Sequence, residues 1–222
     1  MTILAFDFTS EYGSLAIRRD GCTVVEESIH STEGFAHLVF PAIDEVLQRA
    51  NMQLAEIGCF ASASGPGAFT GVRVGLATAK GLAEALSKKA VGVSNLRVLA
   101  GFGISLLRTV VLDARRGEVF SAIYDFDLRP VTAESVGKLT AFLESSSNNP
   151  EEFITPRADW LRSFLEGTPW AGVPVMEAPR ILAPVVAQCA EIDLQNGVSG
   201  DPAALDANYV RRSDAELFWK DA

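Results

Sequence analysis

His30 and His37 are the only imidazoles in the chain. A serine hydrolase would need one of them oriented by a carboxylate, and a nucleophile on a strained turn. No Gly-x-Ser-x-Gly elbow is present. A helical metal site sets two ligands four residues apart. Four residues after His37 stands Pro41, which cannot ligate. Cys22, Cys59 and Cys189 are widely spaced and form no Cys-x-x-Cys pair, so reduced thiols and a cytoplasmic location are expected. Residues 65–71 read Gly-Pro-Gly-Ala-Phe-Thr-Gly. Between a strand and a helix, such a loop could hold an anion on its backbone N–H groups; the plainer reading is a tight turn that lets strand and helix pack closely. Asp7 and Asp113 each end an apolar run, a place suited to nucleotide, metal or water chemistry. That chemistry also wants glycines beside the acid, and here Phe8 follows Asp7 while Ala114 and Arg115 follow Asp113. A phosphate site at Asp7, Thr9, Gly65 and Gly67 is therefore expected to be vestigial. No catalytic residue and no metal is assigned. No cofactor is expected either, with a nucleotide at the interface of a complex left open.

These residues need elements to hold them. Residues 3–8 form an apolar run that reads as a buried strand. Residues 14–18 and 23–29 follow, joined by Asp20-Gly21, a hairpin signal. Residues 35–50 switch to helical spacing, with Phe35, Val39, Ile43, Val46 and Ala50 on one face and Pro41 inside the pattern, where it predicts a lost bond and a bend. Residues 57–63 are a second buried strand, and Thr70 is placed to cap a helix running to about Ser87. Residues 91–93 are a short strand, and Ser94 or Asn95 caps a helix toward Ala100. Residues 108–112 and 118–124 start a second set of strands. Residues 145–149 are a polar loop, and residues 160–165 and 181–192 look helical. The two halves share an order of elements without a residue-level repeat. The predicted boundary lies near residues 101–108, giving an N-terminal lobe at 1–104 and a smaller lobe at 105–222.

The 222 residues carry 19 Lys and Arg against 28 Asp and Glu, a net charge of −9. A uniformly basic nucleic-acid surface is excluded, since phosphate neutralisation needs positive charge. No direct contact with nucleic acid is therefore expected without a local basic patch or a basic partner. The longest apolar stretch, near residues 98–107, is too short to span a bilayer.

One helix stands out. In residues 71–87 only Arg73, Lys80, Glu84 and Ser87 form a polar stripe. A helix covered on one side should show a wider polar face. Gly71, Gly75 and Ala79 step by four, and an interior glycine costs about 1 kcal/mol relative to alanine. Close helix-on-helix contact would offset that cost. The residues 35–50 helix is also broadly apolar. Two such helices suggest either a partner surface or packing inside the chain. On the partner reading the contact residues are Val39, Ile43 and Val46 with Gly71, Gly75, Ala79 and Leu82, and Gly75→Leu should block association while the monomer stays folded.

Residues 65–83, GPGAFTGVRVGLATAKGLA, closely resemble the bacterial TsaB (YeaZ) family. Residues 3–7, Ile-Leu-Ala-Phe-Asp, resemble its opening strand; residues 113–119, Asp-Ala-Arg-Arg-Gly-Glu-Val, its mid-chain segment; and residues 209–212, Tyr-Val-Arg-Arg, its C-terminal signature. Residues 131–208 match weakly. Phe8 stands where the family usually has threonine, and Ala68 where serine is common. The resemblance implies an α/β, two-lobed actin-like ATPase (RNase H-like) fold with a shortened second lobe. It implies a non-catalytic scaffold or activating subunit that dimerises with a TsaD-like protein. That partner carries the metal-binding histidines, which correspond here to His37 and Pro41, and transfers threonylcarbamoyl to the tRNA adenosine beside the anticodon. A TsaE-like ATPase joins the assembly, and a homodimer through the same helices is a third reading, with homodimer against monomer left open when the chain is alone. The alternative is an autonomous nucleotide-dependent, kinase-like ATPase or a peptidase.

Overall fold

The computed structural model describes residues 1–146 and 149–210. Residues 147 and 148 of the polar loop and both arginines of the C-terminal signature, Arg211 and Arg212, lie outside them.

The chain builds two five-stranded sheets. The first joins β1 (Thr2–Asp7), β2 (Tyr12–Arg19), β3 (Cys22–His30), β4 (Cys59–Ala63) and β5 (Lys89–Val93) in the order β3-β2-β1-β4-β5. The first three strands are antiparallel, and β4 and β5 run parallel to β1. The Asp20-Gly21 hairpin closes with both residues at positive φ, +49° and +84°, the two-residue turn that matches strand twist. Helix α1 (Val39–Arg49) and helix α2 (Phe69–Leu86) cover one face of this sheet, and α3 (Asn95–Ala100) follows β5.

The second sheet repeats the pattern: β6 (Leu107–Asp113), β7 (Val119–Asp125), β8 (Ser135–Gly137), β9 (Glu152–Thr155) and β10 (Val175–Glu177) lie in the order β10-β9-β6-β7-β8, with α4 (Leu139–Ser145), α5 (Ala158–Leu165) and α6 (Ala183–Gln195) interleaved. The duplication faint in the sequence is thus complete in topology. The later strands of the second copy have only three or four residues, which makes it the shorter lobe. This is the two-lobed actin-like, RNase H-like fold.

The last helix of each copy crosses to the other sheet. α3 packs on β6, β7 and β9, while α6 packs on β1, β2, β4 and β5. Strand β1 is therefore buried on both faces: Leu4 and Phe6 meet α1 and α2, and Ile3 and Ala5 join a core with α3 and α6. The expected division at 104/105 falls in the link between the sheets, although α6 lies on the first sheet. Two ion pairs tie the crossing helices, Arg18 to Glu191 at 2.8 Å and Arg97 to Asp193 at 2.7 Å.

Two expected boundaries shift. α1 starts at Val39, not at residue 35, because residues 35–38 form a turn closed by Leu38 N–H on Phe35 O. Pro41 thus falls in the first turn, where its missing N–H would have had no intrahelical partner, and it removes no bond. α2 starts after Ala68, whose N–H donates to Thr9 O at 2.7 Å, so Thr70 is inside the helix rather than its cap. Ser94 caps α3 by accepting from Leu96 N–H.

Candidate functional site

At the end of β1, Asp7 is completely buried. Its Oδ1 accepts from the Thr9 N–H at 3.1 Å and from the Thr9 hydroxyl at 2.6 Å. Asn95 Nδ2 donates to Thr9 Oγ1 at 2.6 Å, and Asn95 Oδ1 accepts from Gly65 N–H at 3.1 Å. Among the described residues, Asp7 Oδ2 has no hydrogen-bond partner. Burial raises the Asp7 carboxyl above its ordinary value, against the opposing hydrogen bonds from Thr9. The structure does bring Asp7, Thr9, Gly65 and Gly67 together, but they hold one another. A Cβ on Gly67 would lie 2.6 Å from Thr9 Cβ, so the loop rests directly on Thr9. Asp7, Thr9 and Gly65 are all buried, and only Gly67 is exposed. Asp7 and Thr9 are thus sealed in a joint between β1, α3 and the glycine loop, while Gly65 and Gly67 line an open cleft.

Asp113 is bound likewise: its Oδ1 accepts from Arg115 N–H at 2.7 Å and its Oδ2 pairs with Arg157 at 3.5 Å. His30 packs on Tyr12 in a tilted pair with ring centroids 4.7 Å apart, and Arg180 covers that tyrosine. His37 is exposed before α1. Among the described residues, no group of three or more His, Cys, Asp or Glu side chains could hold a metal ion. No helix among them is long and apolar enough to cross a membrane.

The expected contact residues point inward. Val39, Ile43 and Val46 are 2%, 3% and 0% exposed and pack with β1 and β2. Gly71, Gly75 and Ala79 are buried under α2. A Cβ on Gly71 would sit 1.6 Å from the carbonyl oxygen of Phe8, and one on Gly75 would sit 2.6 Å from Ser62 Oγ. Leu82 is half-buried against the same core. The step of four does mark a close approach, but to the strands of the chain's own sheet. With that contact, Gly75→Leu is expected to strain the monomer, where the spacing alone predicted that it would stay folded.

The outer faces of the same two helices are what solvent meets. On α1 these are Phe40, which is 59% exposed, and Pro41, Asp44 and Glu45. On α2 they are Phe69, Arg73, Ala77, Gly81 and Ala85. A Cβ on Gly81 meets nothing within 4 Å. The outer faces thus offer two exposed aromatics, Phe40 on α1 and Phe69 on α2, and a row of small residues, Ala77, Gly81 and Ala85, on α2. Sequence reasoning missed it because Phe40 and Gly81 lie off the main apolar stripe. The available signal was the remainder left after subtracting the residues that the sheet needs.

The family model described as "TsaD: tRNA N6-adenosine threonylcarbamoyltransferase" matches residues 27–163. The tRNA threonylcarbamoyladenosine biosynthesis protein TsaB of Bacillus subtilis (strain 168) is 32% identical, over 99% of this chain and 98% of the relative. The protein of the same name from Escherichia coli (strain K12) is 32% identical over 72% of each. The solved structure of YeaZ from Pseudomonas aeruginosa superposes with a TM-score of 0.79 at 23% identity, covering 94% of this chain and 99% of that one.

Proposed function

The chain belongs to the TsaB (YeaZ) family, and from that premise we propose that it serves as a non-catalytic subunit in threonylcarbamoyladenosine synthesis on tRNA. It acts by presenting the outer faces of α1 and α2 to a TsaD-like partner, with a TsaE-like ATPase joining the assembly. The observation that carries this reading is the pairing of a sealed joint with an open face. Asp7, which an ATPase of this fold would need in contact with its ligand, is fully buried. Phe40 on α1 and the row of small residues Ala77, Gly81 and Ala85 on α2 are exposed. Small residues let a partner helix approach closely, and an exposed aromatic supplies an anchor. When the partner is absent, a second copy covers the same face. The net charge of −9 leaves the basic surface for tRNA to the partner.

The test is Gly81→Arg, which adds bulk and charge where a Cβ meets open space. The variant should fold as the parent does. Its affinity for the TsaD-like partner should fall by more than about thirtyfold, near 2 kcal/mol, and threonylcarbamoylation of tRNA in the reconstituted system should fall with it. Parental affinity in a folded Gly81→Arg chain would show that this face is not the contact. Product formed equally well without the chain would remove the functional reading itself.

A further inference from the structure

The connection before β8 carries one acid into the junction between the lobes. Glu134 is half-buried, and both of its carboxylate oxygens are taken. Oε1 accepts from the Ser94 hydroxyl and, at 2.6 Å, from the hydroxyl of the buried Tyr124. Oε2 accepts from Asn208 Nδ2 at 2.7 Å. All three donors are neutral, and they come from three separate stretches of chain. Tyr124 belongs to β7 of the second sheet. Ser94 caps α3 through the Leu96 N–H, and its neighbour Asn95 closes the joint around Asp7. Asn208 ends the return stretch after α6, which runs back along the first lobe. There Ala90 N–H donates to Gly200 O at 2.9 Å, Lys80 Nζ to Ala203 O at 3.3 Å, and Asn208 N–H to Ser64 O at 2.8 Å.

A carboxylate only accepts, and its bonds are shorter and about twice as strong as those between neutral groups. Burial, and after it the Glu134 charge, hold the Tyr124 phenol well above its ordinary value, so the phenol keeps the proton that it donates. One group thus gathers a strand of the second sheet, the corner where β5 turns into α3, and the end of the return stretch. These bonds lie on the cleft side, since Ser64 and Asn208 line the same cleft as Gly65 and Gly67. The apolar core that α3 and α6 build between the sheets is the natural pivot of the lobes, and rotation about it would show most at the cleft. Hinge closure around a ligand needs a few positions free to absorb that rotation. We propose that Glu134 is a lock that holds the two lobes in one arrangement, by pinning Ser94 and Asn208, both carried by the first lobe, to Tyr124 of the second. With the lock in place the cleft keeps a fixed width. Without it the lobes turn against each other, and the return stretch loosens from the first lobe.

Two variants of the full-length chain test the lock. Glu134→Gln keeps the shape but loses the charge and one acceptor; Asn208→Ala removes one bond of the three. Hydrogen exchange is the first readout. In Glu134→Gln, amides of residues 64–67, 94–96 and 200–208 should exchange about tenfold faster than in the parent, with β2 and α1 unchanged. In Asn208→Ala, residues 64–67 and 200–208 should follow, and residues 94–96 should not. The spacing of the lobes is the second readout. Cys22 is exposed in the first lobe while Cys59 and Cys189 are buried, and Ser163 is exposed on α5 of the second lobe. Spin labels on Cys22 and on the thiol of Ser163→Cys should report one narrow distance in the otherwise parental chain. Adding Glu134→Gln should broaden it. Parental exchange and a parental distance in Glu134→Gln would overturn the proposal, and so would a broad distribution without that substitution. Faster exchange spread evenly over β2 and α1 would assign Glu134 to global stability and also overturn it. Should Glu134→Gln fail to fold, Asn208→Ala decides, and unchanged exchange at residues 64–67 and 200–208 would overturn the lock. None of these readouts uses a partner protein, so they succeed or fail independently of the proposed assembly.

Discussion

Two glycines of one helix should respond to alanine in opposite directions. At position 71, an added Cβ falls 1.6 Å from the Phe8 carbonyl oxygen, where real Cβ contacts start beyond 3.0 Å. The obstacle is backbone in a strand end that is itself fixed, because Thr9 O accepts from Ala68 N–H at 2.7 Å. Relief requires the start of α2 to lift by more than an ångström, which breaks that bond and opens the Gly75 contact with Ser62. Overpacking of this kind costs about 1–3 kcal/mol or more, and the gain in helix propensity returns about 1 kcal/mol. With backbone as the obstacle, the top of the range applies. Gly71→Ala should lose about 2 kcal/mol net, lowering the melting temperature by roughly 4–8 °C for a chain of this length. At position 81 a Cβ meets nothing within 4 Å, so only the propensity gain remains. Gly81→Ala should gain about 1 kcal/mol, a rise of roughly 2–4 °C. Thermal and urea unfolding should be run on dilute protein, so that association through the Gly81 face does not add its own stabilisation. Gly71→Ala within about 0.5 kcal/mol of the parent would refute the helix-to-strand approach described here.

Asp7 predicts a pH dependence. Its carboxyl is raised above the 3.8 of an ordinary aspartate, so the folded chain keeps a proton that the unfolded chain loses. Stability from this group is present at low pH and is lost as pH rises from about 3.8 toward the folded value, by up to about 1.4 kcal/mol per pH unit. Asp7→Asn should flatten that slope and match or exceed the parent at neutral pH; parallel stability curves from pH 3.5 to 8 would contradict it. The thiols should also separate. Burial pushes Cys59 up to about 12 and Cys189 up to about 11, while Cys22 is exposed. One of the three thiols should react with a disulfide reagent in the folded chain at pH 8, and all three after unfolding. More than one reactive thiol in the folded chain would contradict the burial of β4 or α6.

The sequence revealed the elements better than their neighbours. Asp20-Gly21 declared its turn because both residues must take positive φ, and few pairs do so cheaply. The step of Gly71, Gly75 and Ala79 declared a close approach, yet spacing along a helix does not say whether a partner helix or a strand carbonyl lies opposite. The Phe8 carbonyl does. Val39, Ile43 and Val46 were legible as an apolar stripe, and the sheet, not a partner, consumes it. Phe35 extended the helical pattern because it is buried, at 3% exposure, although its backbone is in a turn. In the second lobe, β8 and β10 span three residues each, too few for an alternating pattern to register. The duplication survives as topology because strand order is set by packing layers that many sequences can satisfy.

The crossing of α6 onto the first sheet has a consequence for how the chain is made. Ser14, in the second strand, accepts from the N–H groups of Leu182 and Ala183, 168 and 169 residues later. At about 5–20 residues per second, roughly 10–30 s of synthesis separate the two sides of that contact. During that interval Ile3, Ala5, Ala16, Cys59 and Ala61 present an apolar sheet face whose cover has not been synthesised. The first lobe therefore cannot mature on its own as it leaves the ribosome. It must wait for almost the whole chain, and its slow step is a long-range closure rather than a local one. Any change that delays α6 leaves the earliest part of the protein as the part most exposed to aggregation.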